Sequence, residues 1–100
     1  MTSKQRAYLR GLGSRAETIV HIGKGGITDT VILQVEEALT AREMVKGKVL
    51  ESAPITSREA CDLLSARLQA EQVQVIGSKF VLYRENRELA ADKRITLPKI

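Results

Sequence analysis

Apolar and polar positions change their spacing several times along the chain, which predicts short helices alternating with short strands. Over residues 29–42 apolar side chains repeat at helical spacing, directly after the N-cap candidate Thr28. Ile27 and Ile32 flank this start at the spacing of a hydrophobic staple. The pattern therefore predicts a helix that begins just after a glycine-rich stretch.

Two further capping patterns predict two more helices. Thr56 and Glu59 have the spacing of a capping box, and they begin the third helix of the chain. The predicted apolar face of this helix consists of Leu63, Leu64 and Leu68. Near the N-terminus Thr2 and Gln5 have the same capping spacing, and we expect the short basic helix after them to end before Gly11 and Gly13.

Strand patterns fill the gaps between these helices. Residues 19–22 are β-branched or aliphatic apart from His21, and residues 44–50 alternate. In that alternation Val45, Gly47 and Val49 share one side, and Lys46 and Lys48 share the other. The stretch "VQVIGSKFVLYR" predicts a hairpin, because Gly77-Ser78 suits a two-residue turn that has glycine first.

The predicted order is helix, strand, helix, strand, helix, strand, strand. Because helices connect the first three strands, we expect those strands to pair in parallel, with an antiparallel hairpin at the end. This is an α/β fold of the α+β type, a mixed four-stranded sheet stacked with three helices. We expect residues 1–84 to form one domain and residues 85–100 a charged C-terminal tail.

The basic residues of the chain are concentrated near its start. The formal net charge is +4, and residues 1–26 hold Lys4, Arg6, Arg10, Arg15 and Lys24 against Glu17 alone. This asymmetry favours a polyanionic partner, nucleic acid first and an anionic membrane surface second. A simple solvated face would have the same composition.

Cysteine content and hydropathy indicate the compartment. Cys61 is the only cysteine, so the chain forms no internal disulfide, and a reducing compartment is expected. No apolar run approaches the roughly 18 residues of a membrane span, and the N-terminus lacks the apolar centre of a signal peptide. We therefore expect a cytoplasmic protein without a membrane partner.

The stretch "IGKGGIT" at residues 22–28 joins a predicted strand to a predicted helix. Free backbone amides at such a junction, with Lys24 beside them, suit an anion, although a plain tight turn would have the same glycines. The spacing fails the P-loop pattern, and Thr28 stands where the dinucleotide fingerprint needs its last glycine. Nucleotide-cofactor binding is therefore not expected.

Four blocks of the chain resemble one known family. "KQRAYLRGL", "VHIGKGGIT", "LTAREMVKGKVLE" and "VQVIGSKFVLYR" are similar in order and spacing to blocks of the CRM domain (chloroplast RNA splicing and ribosome maturation), over roughly residues 2–84. The chain departs from the family at Gly47, where a β-branched residue is more usual. We expect this glycine to weaken its strand and to mark a bulge.

The resemblance implies a fold similar to the C-terminal domain of translation initiation factor three. It also implies a small bacterial RNA-binding protein that associates with the precursor of the large ribosomal subunit and assists its maturation. In the family the G-x-x-G loop contacts RNA, which corresponds here to Gly23, Lys24, Gly25 and Gly26.

Basic residues outside the loop extend the predicted RNA surface. Arg6 and Arg10 share a helix face, and Lys46 and Lys48 share a strand side, where they could equally protect a sheet edge. The remaining candidates are Lys4 near the N-terminus, Lys79 after the hairpin turn and Arg84 at the end of the last strand. Few aromatic residues are present and Phe80 suits the core, so recognition through phosphate and shape is expected.

Catalytic chemistry finds no support in the sequence. His21 lacks ligand-spaced partners and suits a structural place at a strand end, while Cys61 suits a buried helix face. We expect no catalytic residues, cofactor, metal or small-molecule substrate, and a monomer. The alternative to RNA binding is a protein-interaction module that docks on a ribosomal protein or assembly factor through an apolar groove.

Overall fold

The computed structural model describes residues 1–99 and contains the predicted order of elements. The helices are α1 (Ser3–Arg15), α2 (Asp29–Arg42) and α3 (Ser57–Leu68). The strands are β1 (Val20–Ile22), β2 (Met44–Val49), β3 (Glu71–Ile76) and β4 (Lys79–Tyr83). A short 3-10 turn, Ala91–Lys93, follows in the tail. This confirms the α+β class with three helices and a mixed four-stranded sheet.

Local capping chemistry sets the helix starts. In α1 the Thr2 side chain accepts from the Gln5 amide while the Gln5 side chain accepts from the Thr2 amide, and Thr56 and Glu59 repeat this at α3. Thr28 accepts from the Val31 amide at the start of α2. These contacts confirm the three capping predictions. Each cap could be predicted because it involves only residues within one turn of the chain.

The sheet has the strand order β1-β2-β4-β3. β1 pairs with β2 in parallel, whereas β2 with β4 and β4 with β3 are antiparallel pairs. β2 and β3 run in the same direction, yet the predicted parallel pairing between them is wrong because β4 lies between the two. The hairpin turn has Gly77 at φ +57°, as a turn with glycine first requires.

Each face of the sheet has its own apolar cluster. α2 and α3 cover one face, with Leu39, Leu64 and Phe80 among the fully buried side chains. α1 covers part of the other face, where Leu9 packs with residues of β3 and β4. Ile95 and Leu97 of the tail pack against this second cluster. The last residue of the predicted tail, Ile100, lies outside the described residues.

The predicted end of α1 is wrong, because the helix continues through Gly11 and Gly13 to Arg15. Gly13 is buried, and a Cβ at this position would lie 3.0 Å from a methyl carbon of Val81. Close contact between helix and sheet therefore outweighs the roughly 1 kcal/mol that each glycine costs in a helix.

Two further predictions are wrong for the same non-local reason. Leu63 is 46% exposed, because the packing of α3 directs Ala60, Cys61 and Leu64 inward instead. Gly47 lies in a regular ladder opposite Phe80, and the bulge is in β3 at Val73. A Cβ on Gly47 would lie 2.4 Å from the Phe80 ring, so the glycine makes room for this ring.

Within residues 1–99, no helix combines the length and the apolar character needed to cross a membrane.

Candidate nucleic-acid interface

The glycine turn that joins β1 to α2 is partly exposed and partly packed. The Gly26 amide donates to the Gly23 carbonyl over 2.9 Å, which leaves Lys24 and Gly25 exposed at the tip. Gly26 is buried at φ +69°, and a Cβ there would lie 3.3 Å from Pro54. Glycine at position 26 therefore fixes the shape of the turn, while residues 24 and 25 face solvent.

Free amides occur at the tip of this turn. Among residues 1–99, the amides of Lys24 and Gly25 have no protein acceptor. Thr28 caps α2, and the carboxylate of Asp29 in the first turn lowers the positive potential at that helix end. An anion would therefore be held by the turn itself and the Lys24 ammonium rather than by the helix dipole.

Three loops meet at the end of the sheet where this turn lies. The Leu50 amide donates to the Ile22 carbonyl over 2.8 Å, which places the loop after β2 beside the glycine turn. The Val49 amide donates to the Ser78 carbonyl over 2.7 Å, which adds the β3–β4 hairpin turn. Lys24 therefore lies at the same end of the sheet as Lys48 and Lys79.

The strand register aligns four side chains in a row across this end of the sheet. His21 of β1 is paired with Lys48 of β2, Lys48 with Lys79 of β4, and Lys79 with Ile76 of β3. All four lie on the face that bears α1, since they alternate with residues of the α2–α3 cluster. Lys46 lies on the same face, two residues from Lys48.

We call His21, Lys46, Lys48 and Lys79 the basic face. α1 crosses the other half of this side of the sheet, with Arg6 near the start of β3 and Gly13 over Val81. Arg10 lies one turn after Arg6 on the same side of α1.

Ion pairing separates the predicted basic residues into two groups. Arg6 lies 3.8 Å from the Glu71 carboxylate and donates to the Gln72 carbonyl. Within residues 1–99, the following have no carboxylate within 4.0 Å: Lys4, Arg10, Lys24, Lys46, Lys48 and Lys79. The charges of the three lysines of the basic face, of Lys24 at the turn tip and of Arg10 are therefore available to an external anion.

Arg84 lies apart from these residues. Its guanidinium donates to the Glu36 carboxylate over 2.8 Å and to the Leu68 carbonyl over 3.1 Å, which ties together α2, α3 and the end of β4. Arg84 lies five positions after Lys79, just beyond the end of β4, which corresponds to about 16 Å of extended chain. Lys4 is exposed in the first turn of α1, and the structure does not join it to the basic face.

The Arg84–Glu36 pair has a consequence for acid stability. The hydrogen bond from Arg84 lowers the pKa of the Glu36 carboxyl below its ordinary 4.5. The Arg84–Glu36 pair therefore stabilises the fold fully above the unfolded-state pKa of Glu36. This stabilisation is lost as the pH falls through the lower folded-state pKa. We expect Glu36→Gln to remove stability at pH 7 and to change it little at pH 3, as measured by urea unfolding.

The control for this prediction is Glu37→Gln on the same helix. Glu37 is exposed and has no ion pair within the described residues, so this variant should unfold like the parent protein at both pH values. Equal behaviour of the two variants would contradict the role given to the pair.

The sequence did not indicate two residues that the structure makes prominent. His21 was predicted as structural, but its side chain is exposed and adjoins Lys48. Glu43 is fully buried at φ +65°, and its carboxylate accepts from the amides of Asn86 and Ile95. The alternation of β1 could have indicated the direction of His21, whereas nothing local indicates Glu43.

Burial raises the pKa of the Cys61 thiol to about 11, so it is protonated at neutral pH. Within residues 1–99, no three His, Cys, Asp or Glu side chains lie close enough to hold a metal ion. The arrangement is suited to holding phosphate groups by charge and backbone amides.

A family model and several known proteins match the chain. The model of the CRS1 / YhbY (CRM) domain matches residues 1–84. The "Probable RNA-binding protein YqeI" of Bacillus subtilis is 37% identical over 98 residues, which cover 98% of this chain and 99% of that protein. An "RNA-binding protein" of Haemophilus influenzae is 32% identical over 99 residues, covering 99% and 96% of the two chains. Names of this kind fit a protein that is not an enzyme.

A solved structure matches the fold over nearly the whole chain. It is the solution structure of the hypothetical protein SAV1595 from Staphylococcus aureus, described as a proposed RNA-binding protein. The two chains have a TM-score of 0.77 and 41% identity, and the match covers 98% of this chain and 99% of the other.

Proposed function

The chain belongs to the CRS1 / YhbY (CRM) domain family, and we propose that it is a non-enzymatic RNA-binding protein. In this proposal the protein binds ribosomal RNA of the large-subunit precursor and assists assembly of the ribosome. The observation that carries the proposal is the basic face, where Lys46, Lys48 and Lys79 share one side of the sheet and have no ion pair with any other residue of the described chain. The relatives named for RNA binding support the same partner class.

The GKGG turn contacts the phosphate backbone in this proposal. Lys24 supplies a mobile charge, and its amide and that of Gly25 supply two donors that have no acceptor in the part of the protein that the structure describes. The domain that binds RNA is residues 1–84, acting as a monomer. Arg84 and Arg6 serve chiefly to hold the fold, because both are already ion-paired.

Crosslinking in cells tests the proposal directly. The tagged chain is expressed in bacteria and irradiated, and the RNA attached to it is sequenced. We expect fragments of large-subunit ribosomal RNA to be enriched, with recovery at least about fivefold lower for Lys24→Ala, because a phosphate contact at the turn is lost. The control is Arg67→Ala on α3, which removes an exposed charge that has no ion pair among residues 1–99, and it should leave recovery unchanged.

The docking alternative predicts a different result in the same experiment. A module that binds a ribosomal protein would co-purify with ribosomal particles after nuclease treatment and would yield little crosslinked RNA. Recovery of messenger or transfer RNA without ribosomal RNA would contradict the ribosomal target while leaving RNA binding intact.

A further inference from the structure

The basic face offers charge without a surface for stacking bases. Of the aromatic side chains in the described chain, Phe80 is 0% exposed and Tyr83 is 4% exposed. Tyr8 is exposed on α1, but it lies two positions from both Arg6 and Arg10, so it points to a different side of the helix. The exposed apolar side chain in the cross-strand row is Ile76, which is 63% exposed beside Lys79.

The polar groups of this face also suit phosphates better than base edges. Its charged residues are lysines, which act as point charges and lack the planar fork that reads a guanine. Gln74, opposite Val81, is the amide side chain of β3 on this face. Recognition by splayed single-stranded bases needs aromatic platforms and edge-reading side chains, which the cross-strand row does not provide.

We propose that the RNA bound by this face is double-helical, a base-paired stem contacted through its phosphates. This inference rests on the proposed function and names the form of RNA that the same surface takes. In a stem the bases are already stacked on each other, so binding requires no stacking partner from the protein. Lys46, Lys48, Lys79, Arg10 and the GKGG turn then contact the backbone.

The test compares a 20-base-pair RNA stem with an unstructured single strand of equal length by fluorescence anisotropy. We expect the stem to bind at least about fivefold more tightly at matched salt, and exchange of its base pairs to change the affinity less than about twofold. Tighter binding to the single strand, or a tenfold effect of base-pair exchange, would overturn the inference. Failure to bind either RNA would overturn the proposed function itself.

A stem could bind more tightly than a single strand simply because a duplex has a higher charge density. A gain-of-function variant separates that explanation from the lack of a stacking surface on the protein. Ile76→Tyr places an aromatic ring at the edge of the basic face, beside Lys79, at a side chain that is 63% exposed and belongs to neither apolar cluster of the described residues. Stacking on this ring should raise the affinity for the single strand about fivefold or more and leave stem binding nearly unchanged. Unchanged affinity for the single strand would contradict the claim that the missing ring excludes it.

Discussion

Replacing Gly47 by alanine is expected to lower the free energy of unfolding by about 3 kcal/mol, because the added methyl overpacks the core. The new Cβ would lie 2.4 Å from the Phe80 ring, and that ring is fully buried among side chains of α2 and α3. Either the ring leaves its position or β2 and β4 separate locally. Thermal unfolding should show a midpoint about 12–24 °C lower.

Glycine substitutions elsewhere provide the controls. At Gly11 a Cβ would meet the Arg15 guanidinium at 4.0 Å and no other neighbour, so Gly11→Ala should stabilise by about 0.5–1 kcal/mol. Phe80→Leu in the Gly47→Ala background should recover part of the loss, with a double variant at least about 1 kcal/mol better than the sum of the single variants. Additive losses would mean that the ring does not cause the clash.

Removal of the Glu43 carboxylate is the second change with a large expected effect. Glu43 is 0% exposed, and its oxygens accept from the Asn86 amide at 2.7 Å and from the Ile95 amide at 2.5 Å. Arg94 lies 3.6 Å from the same carboxylate. Glu43→Ala leaves these donors without an acceptor, so we expect a loss of about 3 kcal/mol or more.

In Glu43→Ala, residues 85–99 should lose protection from hydrogen exchange before the rest of the molecule does. Because Glu43 is the acceptor for two backbone amides of residues 85–99, hydrogen exchange of the Asn86 and Ile95 amides should become fast in Glu43→Ala.

Glu43→Gly is the matched variant: it removes the same carboxylate but relieves the left-handed backbone at φ +65°. It should be about 1 kcal/mol more stable than Glu43→Ala. Protection that persists in both variants would contradict the role of the carboxylate.

The parts of the fold that sequence reasoning predicted correctly are those set by neighbours in the chain. The capping boxes at Thr2 and Thr56, the start of α2 and the glycine-first hairpin turn all depend on a few adjacent residues. The continuation of α1 through Gly13 and the role of Gly47 depend on Val81 and Phe80, which lie far away in sequence. Local patterns do not contain those partners.

The same division applies to the candidate site. Alternation in β2 was enough to predict that Lys46 and Lys48 share one side of the strand. That Lys79 and His21 join them follows from the pairing of β4 and β1 with β2, a register fixed by packing on both faces. The separate position of Arg84 depends on its ion pair with Glu36 of α2, which no short stretch of sequence shows.

The salt dependence of RNA binding tests the central claim most directly. One variant replaces Lys24, Lys48 and Lys79 by alanine, and a second removes the same charge at Arg42, Arg67 and Lys93, exposed residues without ion pairs in the described chain. Both are titrated with the RNA recovered by crosslinking at several salt concentrations, after their thermal unfolding is shown to match that of the parent.

We expect the first variant to flatten the slope of log K against log salt by about 2–3, since each lost phosphate contact removes roughly 0.7–0.9. The second variant should keep the slope of the parent protein. An equally flattened slope in the two variants would show that binding follows net charge alone. That result would contradict a phosphate-binding surface formed by the basic face and the GKGG turn.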